Sequence, residues 1–152
     1  RSHPLKPHTE LSNYSARVAM IKAAIAGNDY FQFFSPPRDS GYTIDLLGYL
    51  CRKCPAAKFF LAIGSDIIDE FEQWYQYDEI IRTVEIVIAY RPGYVGSKRA
   101  NKIMKNAKRI SIPQCDISST DIRKRVKTGR SIKYLVPAAV EKIIYNRGLY
   151  AG

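Results

Sequence analysis

Apolar positions Val18, Ile21 and Ile25 recur three and four apart, which predicts a first helix over roughly Ser15 to Ala26. Ser12 or Asn13 can cap it, Gly27-Asn28 ends it, and residues 1 to 13, with Pro4 and Pro7, read as a loop. Phe31 to Phe34 reads as a short strand, broken by Ser35-Pro36-Pro37. A second helix is predicted from Thr43 as its cap, with Leu46, Leu47 and Leu50 on one face and Pro55 closing the region. Lys58 to Ile63 (KFFLAI) is a continuous apolar run of strand length, as expected of a strand covered on both faces. Gly64-Ser65-Asp66 turns the chain into helical segments that run through Ile81. Val84 to Tyr90 (VEIVIAY) is a strong strand, stopped by Arg91-Pro92-Gly93. Lys98 to Ala107 reads as a basic helix and Arg109 to Ile112 as a further strand. Ser118 or Ser119 opens a helix through about Lys127, ended by Gly129. Pro137 takes the first-turn place of a last helix that ends at Asn146.

Strands alternate with helices, and two strands are nearly all apolar. That predicts an α/β fold with a parallel sheet wound by helices on both faces. In such sheets ligands lie beyond the carboxyl ends of the strands. Ser35 to Thr43, Gly64 to Tyr75 and Asp116 to Arg123 each follow a predicted strand, so candidate chemistry concentrates there. A length of 152 residues suits one domain, 1–152, and no apolar stretch reaches the length of a membrane-crossing helix. Lys and Arg total 24 against 14 Asp and Glu, a net charge of +10. Such a surplus suits an anionic partner: nucleic acid, a nucleotide or an acidic membrane. Three cysteines, an odd number, argue against a disulfide scaffold and for a reducing, cytoplasmic setting. Cys51 and Cys54 form a lone CxxC with no second pair at zinc-site spacing, and read as small residues on a helix face.

Ser118, Ser119 and Thr120, with Arg123 one turn on, set hydroxyls and a bidentate cation beside the unpaired N–H groups of a helix start. This pattern suits phosphate; an ordinary helix cap uses the same residues. Gly64 and Ser65 permit a close backbone approach, and Asp66 can accept from ribose hydroxyls; turns of this composition are also common without a ligand. Trp74 and Tyr75 can stack on a flat ring or fill a core. Arg123, Lys124, Arg125, Lys127, Arg130 and Lys133 can track a polyanion or form a solvated helix face. His3 and His8 have no second acid or base placed near them by sequence.

The stretch ISSTDIRKRVKTGRSIKYLVPAAVEKIIYNRGLY, Ile117 to Tyr150, closely resembles the end of nicotinate or nicotinamide mononucleotide adenylyltransferases. SGYTIDLL (Ser40 to Leu47) is similar to their S-Y-T-x-D-T-L helix start, and GSDIIDEFEQWYQYDEI (Gly64 to Ile80) to their G-x-D…F…W…Y…I segment. RPG at Arg91 follows the expected strand. The resemblance implies a Rossmann-like doubly wound sheet of the nucleotidyltransferase superfamily. It also implies adenylyl transfer from ATP, with Mg²⁺, to nicotinate mononucleotide in NAD biosynthesis. Two polyanionic substrates account for the charge without nucleic acid or membrane.

By the same resemblance, Ser118, Ser119, Thr120 and Arg123 would hold the ATP phosphates. Gly64, Ser65 and Asp66 would lie near the nucleotide ribose. Trp74 would stack on the pyridine ring, whose substituent would meet backbone N–H groups near Thr43 and Tyr75. Lys6, His8 and Arg91 would stand at the phosphates or the site edge. The family's G-x-F-x-P-x-H-x-G-H loop is not in these residues, so no catalytic histidine is assigned. The opening PLKPHTEL instead resembles a later family loop. With Arg1 rather than Met at the start, the expectation is a preceding segment that carries that loop and the first strand of the sheet. Two other readings stand beside this one: a sister adenylyltransferase such as the phosphopantetheine type, and a non-catalytic basic fragment that binds nucleotides or RNA.

Overall fold

The computed structural model describes residues 12–36, 40–90, 105, 107–113 and 115–151. Chain contacts divide it into two compact units, one drawn from Arg1–Ser35 with Asp116–Gly152 and the other from Pro36–Cys115.

The second unit is an α/β layer. Its elements are α2 (Thr43–Lys53), β1 (Phe60–Gly64), a 3₁₀ turn (Ser65–Ile67), α3 (Ile68–Phe71), α4 (Tyr77–Thr83), β2 (Glu85–Tyr90) and β3 (Lys108–Ser111). The strands pair in parallel in the order β1-β2-β3, with Leu61 opposite Ile86 and Ile88 opposite Arg109. The side-chain period of two sorts β1 cleanly. Phe59, Leu61 and Ile63 join Ile86 and Ile88 on one face. There they pack with Leu47 of α2, Ile68 and Phe71 of α3, and Ile80 of α4. Phe71, Ile80 and Ile88 are fully buried, each burial contributing roughly 1.5–3 kcal/mol. Phe60 and Ala62 point the other way and stay exposed, so the expectation of a strand covered on both faces is corrected to a strand with one buried face. A continuous apolar run hides this, because Phe at position 60 reads as core in sequence. Here the Lys58 and Lys108 ammonium groups lie 5.5 and 4.9 Å from its ring centroid. The same two lysines pair with Glu85, joining the ends of three neighbouring segments.

Thr43 is the first helical residue of α2 rather than its cap, a place held by Tyr42 with no side-chain cap bond. Ser40 competes for the capping role: its hydroxyl donates to the Asp45 carboxylate at 2.5 Å and accepts the Tyr42 N–H at 3.1 Å. The helical stretch through Ile81 is interrupted between Phe71 and Tyr77. Most of the basic segment Lys98 to Ala107 lies outside the described residues.

In the first unit are α1 (Tyr14–Ile25), α5 (Ser119–Lys127) and α6 (Ala138–Asn146). Asn13 caps α1, its side chain accepting the Ala16 N–H at 2.8 Å. Ile122, Ile132, Val140 and Ile144 form the core, flanked by Met20 and Ala23 of α1. Gly129 ends α5 with φ 67, which lets the Arg130 N–H donate back to the Arg125 carbonyl at 2.8 Å. Pro137 stands at the cap of α6, one residue before the predicted place, and its carbonyl accepts from Val140 and Glu141. Phe31 to Phe34 is not a strand. Phe31 N–H and Tyr30 N–H turn back onto Asn28, and residues 31–36 run on without regular structure. Strand propensity forms a strand only where a neighbour supplies a ladder. At the far end, the Tyr150 and Ser12 hydroxyls share a hydrogen bond of 2.9 Å, and the Arg17 guanidinium donates to the Ser12 carbonyl.

Candidate functional site

The start of α5 carries the sharpest chemistry in the sequence. Ser118 is the cap, its hydroxyl accepting the Asp121 N–H at 3.1 Å. Ser119 and Thr120 follow in the first turn, both exposed. Arg123 reaches back along the helix and donates to the Thr120 hydroxyl at 3.2 Å. Two hydroxyls, a guanidinium and the positive end of a helix therefore share one small surface. Asp121, the one acidic residue of this first turn, is drawn away by Arg125, whose Nε donates to its carboxylate at 2.7 Å.

In the other unit, β1 ends at Gly64, and the chain turns directly into the 3₁₀ segment. Asp66 is exposed, and its carboxylate sits over Gly64 so closely that a Cβ at residue 64 would run into it. A side chain at residue 64 would displace this carboxylate, so the glycine leaves Asp66 its place over the turn. Ser65 is fully buried, so its side chain supports the turn from inside. Further along, Phe71 and Trp74 pack with ring centroids 5.1 Å apart, which leaves Trp74 half-buried on the edge of the core. Tyr75 is 53% exposed. Its ring meets that of Tyr42, 4.7 Å away and tilted by 40°. Tyr42 immediately precedes Thr43, so the segments expected to share one ring-binding role, Thr43 and Trp74-Tyr75, are brought together within this unit.

Tyr42 and Gln76 lie within the segments quoted from the sequence, which assigned neither a role. Gln76 takes a left-handed backbone, φ 53 and ψ 42, and its amide donates to the Tyr75 hydroxyl at 3.3 Å. Beside it the Tyr77 phenol is pushed above its ordinary value, chiefly by the negative charge of Asp78. Lys6, His8 and Arg91, along with His3, lie outside the described residues. Cys51, Cys54 and Cys115 are free thiols, and among the described residues no three His, Cys, Asp or Glu side chains gather as metal ligands. No helix among the described residues is long and apolar enough to cross a membrane.

A family model described as cytidylyltransferase-like matches residues 1–125. Among curated relatives, a "Probable nicotinate-nucleotide adenylyltransferase" of Salinibacter ruber is 35% identical over 150 residues, covering 97% of this chain and 77% of its own. A protein of the same description from Rubrobacter xylanophilus is 36% identical over 158 residues, covering 96% and 74%. Among solved structures, the Plasmodium falciparum nicotinic acid mononucleotide adenylyltransferase complexed with NaAD superposes with a TM-score of 0.73. It covers 95% of this chain and 78% of its own at 20% identity, a likeness of fold. The same enzyme complexed with APC gives 0.72 over 93% and 78%.

Proposed function

Because the chain belongs to the cytidylyltransferase-like family and, within it, to the nicotinate-nucleotide adenylyltransferases, we propose that it transfers the adenylyl group of ATP to nicotinate mononucleotide. The 5′-phosphate oxygen of the mononucleotide attacks the α-phosphorus in line. The bond to the bridging oxygen breaks, and pyrophosphate leaves with deamido-NAD as product. No covalent enzyme intermediate is needed, so catalysis rests on positioning and on neutralising phosphate charge.

The observation that carries this reading is the α5 start, with a capped helix end and a guanidinium anchored to Thr120. Ser119, Thr120 and Arg123 hold the ATP phosphates, with Ser118 keeping the helix start in shape. Gly64 and Asp66 meet the nucleotide near its ribose, over a turn fixed by Ser65. Trp74 stacks on the pyridine ring, and backbone N–H groups near Thr43 and Tyr75 receive its carboxylate. Lys6, His8 and Arg91 belong to the phosphate side or the site edge. Mg²⁺ would enter with ATP, held chiefly by its phosphates, and would share their charge. A reducing cytoplasm suits the three free thiols.

The test is pyrophosphate release from ATP with nicotinate mononucleotide, nicotinamide mononucleotide or phosphopantetheine as acceptor. Release with the nicotinate nucleotide above the other two is expected. Release with phosphopantetheine alone, or RNA binding with no pyrophosphate formed, would overturn the assignment.

A further inference from the structure

Tyr75 is held from two sides. Tyr42 meets its ring at 4.7 Å, and the Gln76 amide reaches its hydroxyl at 3.3 Å. The backbone around it is tight. The Tyr77 N–H closes a turn onto the Trp74 carbonyl at 3.1 Å, and Gln76 is left-handed inside that turn. A residue with a Cβ holds such a conformation only where its surroundings over-determine it. Here they do so from both ends. Phe71 fixes Trp74 on the core side, while the Gln76 carbonyl accepts from Glu79 and Ile80 at the start of α4, where Ile80 is fully buried. The Tyr42 contact then ties this turn to the first residue of α2, Thr43.

We propose that Tyr42 and Gln76 are positioning residues for the mononucleotide, bracing Tyr75 by its ring and its hydroxyl so that the Trp74-Tyr75 turn and the Thr43 backbone face one pyridine ring together. The proposal rests on the pyridine-site reading above. The brace is made to the Trp74-Tyr75 turn alone, so it acts on mononucleotide affinity and leaves ATP affinity alone.

Trp74 is the only tryptophan in the chain, so its fluorescence reports this turn without turnover. Nicotinate mononucleotide is titrated against the full chain and against Gln76→Gly, Gln76→Ala, Tyr42→Ala and Tyr42→Phe, with ATP affinity measured in parallel. Gln76→Gly keeps the left-handed backbone while removing the amide, and it decides the matter should an alanine variant unfold. The expected result is a mononucleotide Kd raised about three- to tenfold in both Gln76 variants and in Tyr42→Ala, the scale of a single modest hydrogen bond. Tyr42→Phe, which keeps the ring, restores the affinity, and ATP affinity stays within about twofold throughout, well under that same scale. A mononucleotide Kd unchanged in Gln76→Gly, or an equal weakening of ATP, overturns the brace while the pyridine site stands. A wild-type chain whose Trp74 emission ignores the mononucleotide overturns the pyridine site and the brace with it.

Discussion

Arg123 leans on Thr120 across a single helical turn, so removing it takes charge from the α5 start and leaves the helix intact. Arg123→Ala should raise the KM for ATP by the equivalent of about 1.5–3 kcal/mol, the value of a hydrogen bond to a charged group, with little change in Tm. Unchanged ATP kinetics would remove Arg123 from the phosphate site. Trp74 is a harder residue to read, because it packs on Phe71 and is half-buried. Trp74→Phe keeps most of that packing; it should weaken the mononucleotide more than ATP, whereas equal effects on both would mark Trp74 as core alone. The helix start at Ser118, with Thr120 and Arg123 sharing one face, was legible in the sequence because capping and i,i+3 contacts are local. The burial of Ser65 and the ring contact of Tyr42 were not. Both depend on residues brought in from elsewhere, and no local spacing announces them. Gln76 was invisible for another reason: a left-handed glutamine has no sequence signature, unlike a glycine at the same angle.

At the scale of elements, α5 owes its start to one hydroxyl. Ser118→Ala should cost about 1 kcal/mol of stability, read as a lowered Tm or denaturation midpoint, and Ser118→Asp should recover it. The sheet carries a pH signature. Lys58, and then Lys108, donate to Glu85 and hold its carboxyl below the ordinary value. Stability from a lowered carboxyl is present above the unfolded value of about 4.3 and is lost as pH falls through the lower folded value. The tie is exposed, so the effect is small. Glu85→Gln should flatten the fall of Tm as pH drops below about 5, where the unfolded carboxyl begins to protonate while the folded one stays charged. An unaltered slope would show that the tie contributes nothing. Sequence pattern located β1, β2, β3, α5 and α6 to within a residue or two, because each is an apolar or amphipathic stretch bounded by turn-forming or capping residues. It failed at Phe31 to Phe34, where three phenylalanines in four residues meet no ladder, and on the two faces of β1, since alternation is unreadable through the unbroken apolar stretch from Phe59 to Ile63.

For the whole molecule, the +10 charge is the simplest lever. If it draws in two polyanionic substrates, the KM for ATP should rise about twofold or more as ionic strength goes from roughly 0.05 to 0.3 M, where the Debye length shortens to a few ångströms. A KM indifferent to salt would confine the electrostatics to the contacts at α5. The overall architecture was legible through the resemblance and the alternation of elements; the partition into two units was not, because it depends on which distant segments pack. That partition bears on how the chain emerges from the ribosome. The unit of β1, β2 and β3 is drawn from one continuous run, Pro36–Cys115, and the described residues of its core are all at hand once that run has been made. The other unit draws on both ends of the chain: α1 packs on α6, and Ser12 meets Tyr150 across 138 positions. Vectorial synthesis therefore leaves α1, made before the sheet, waiting until its partner α6 and Tyr150 are added, while the sheet segment between them can already close. On stalled ribosomes, the sheet segment should gain resistance to protease well before α1, which becomes protected only after Tyr150 has cleared the exit tunnel.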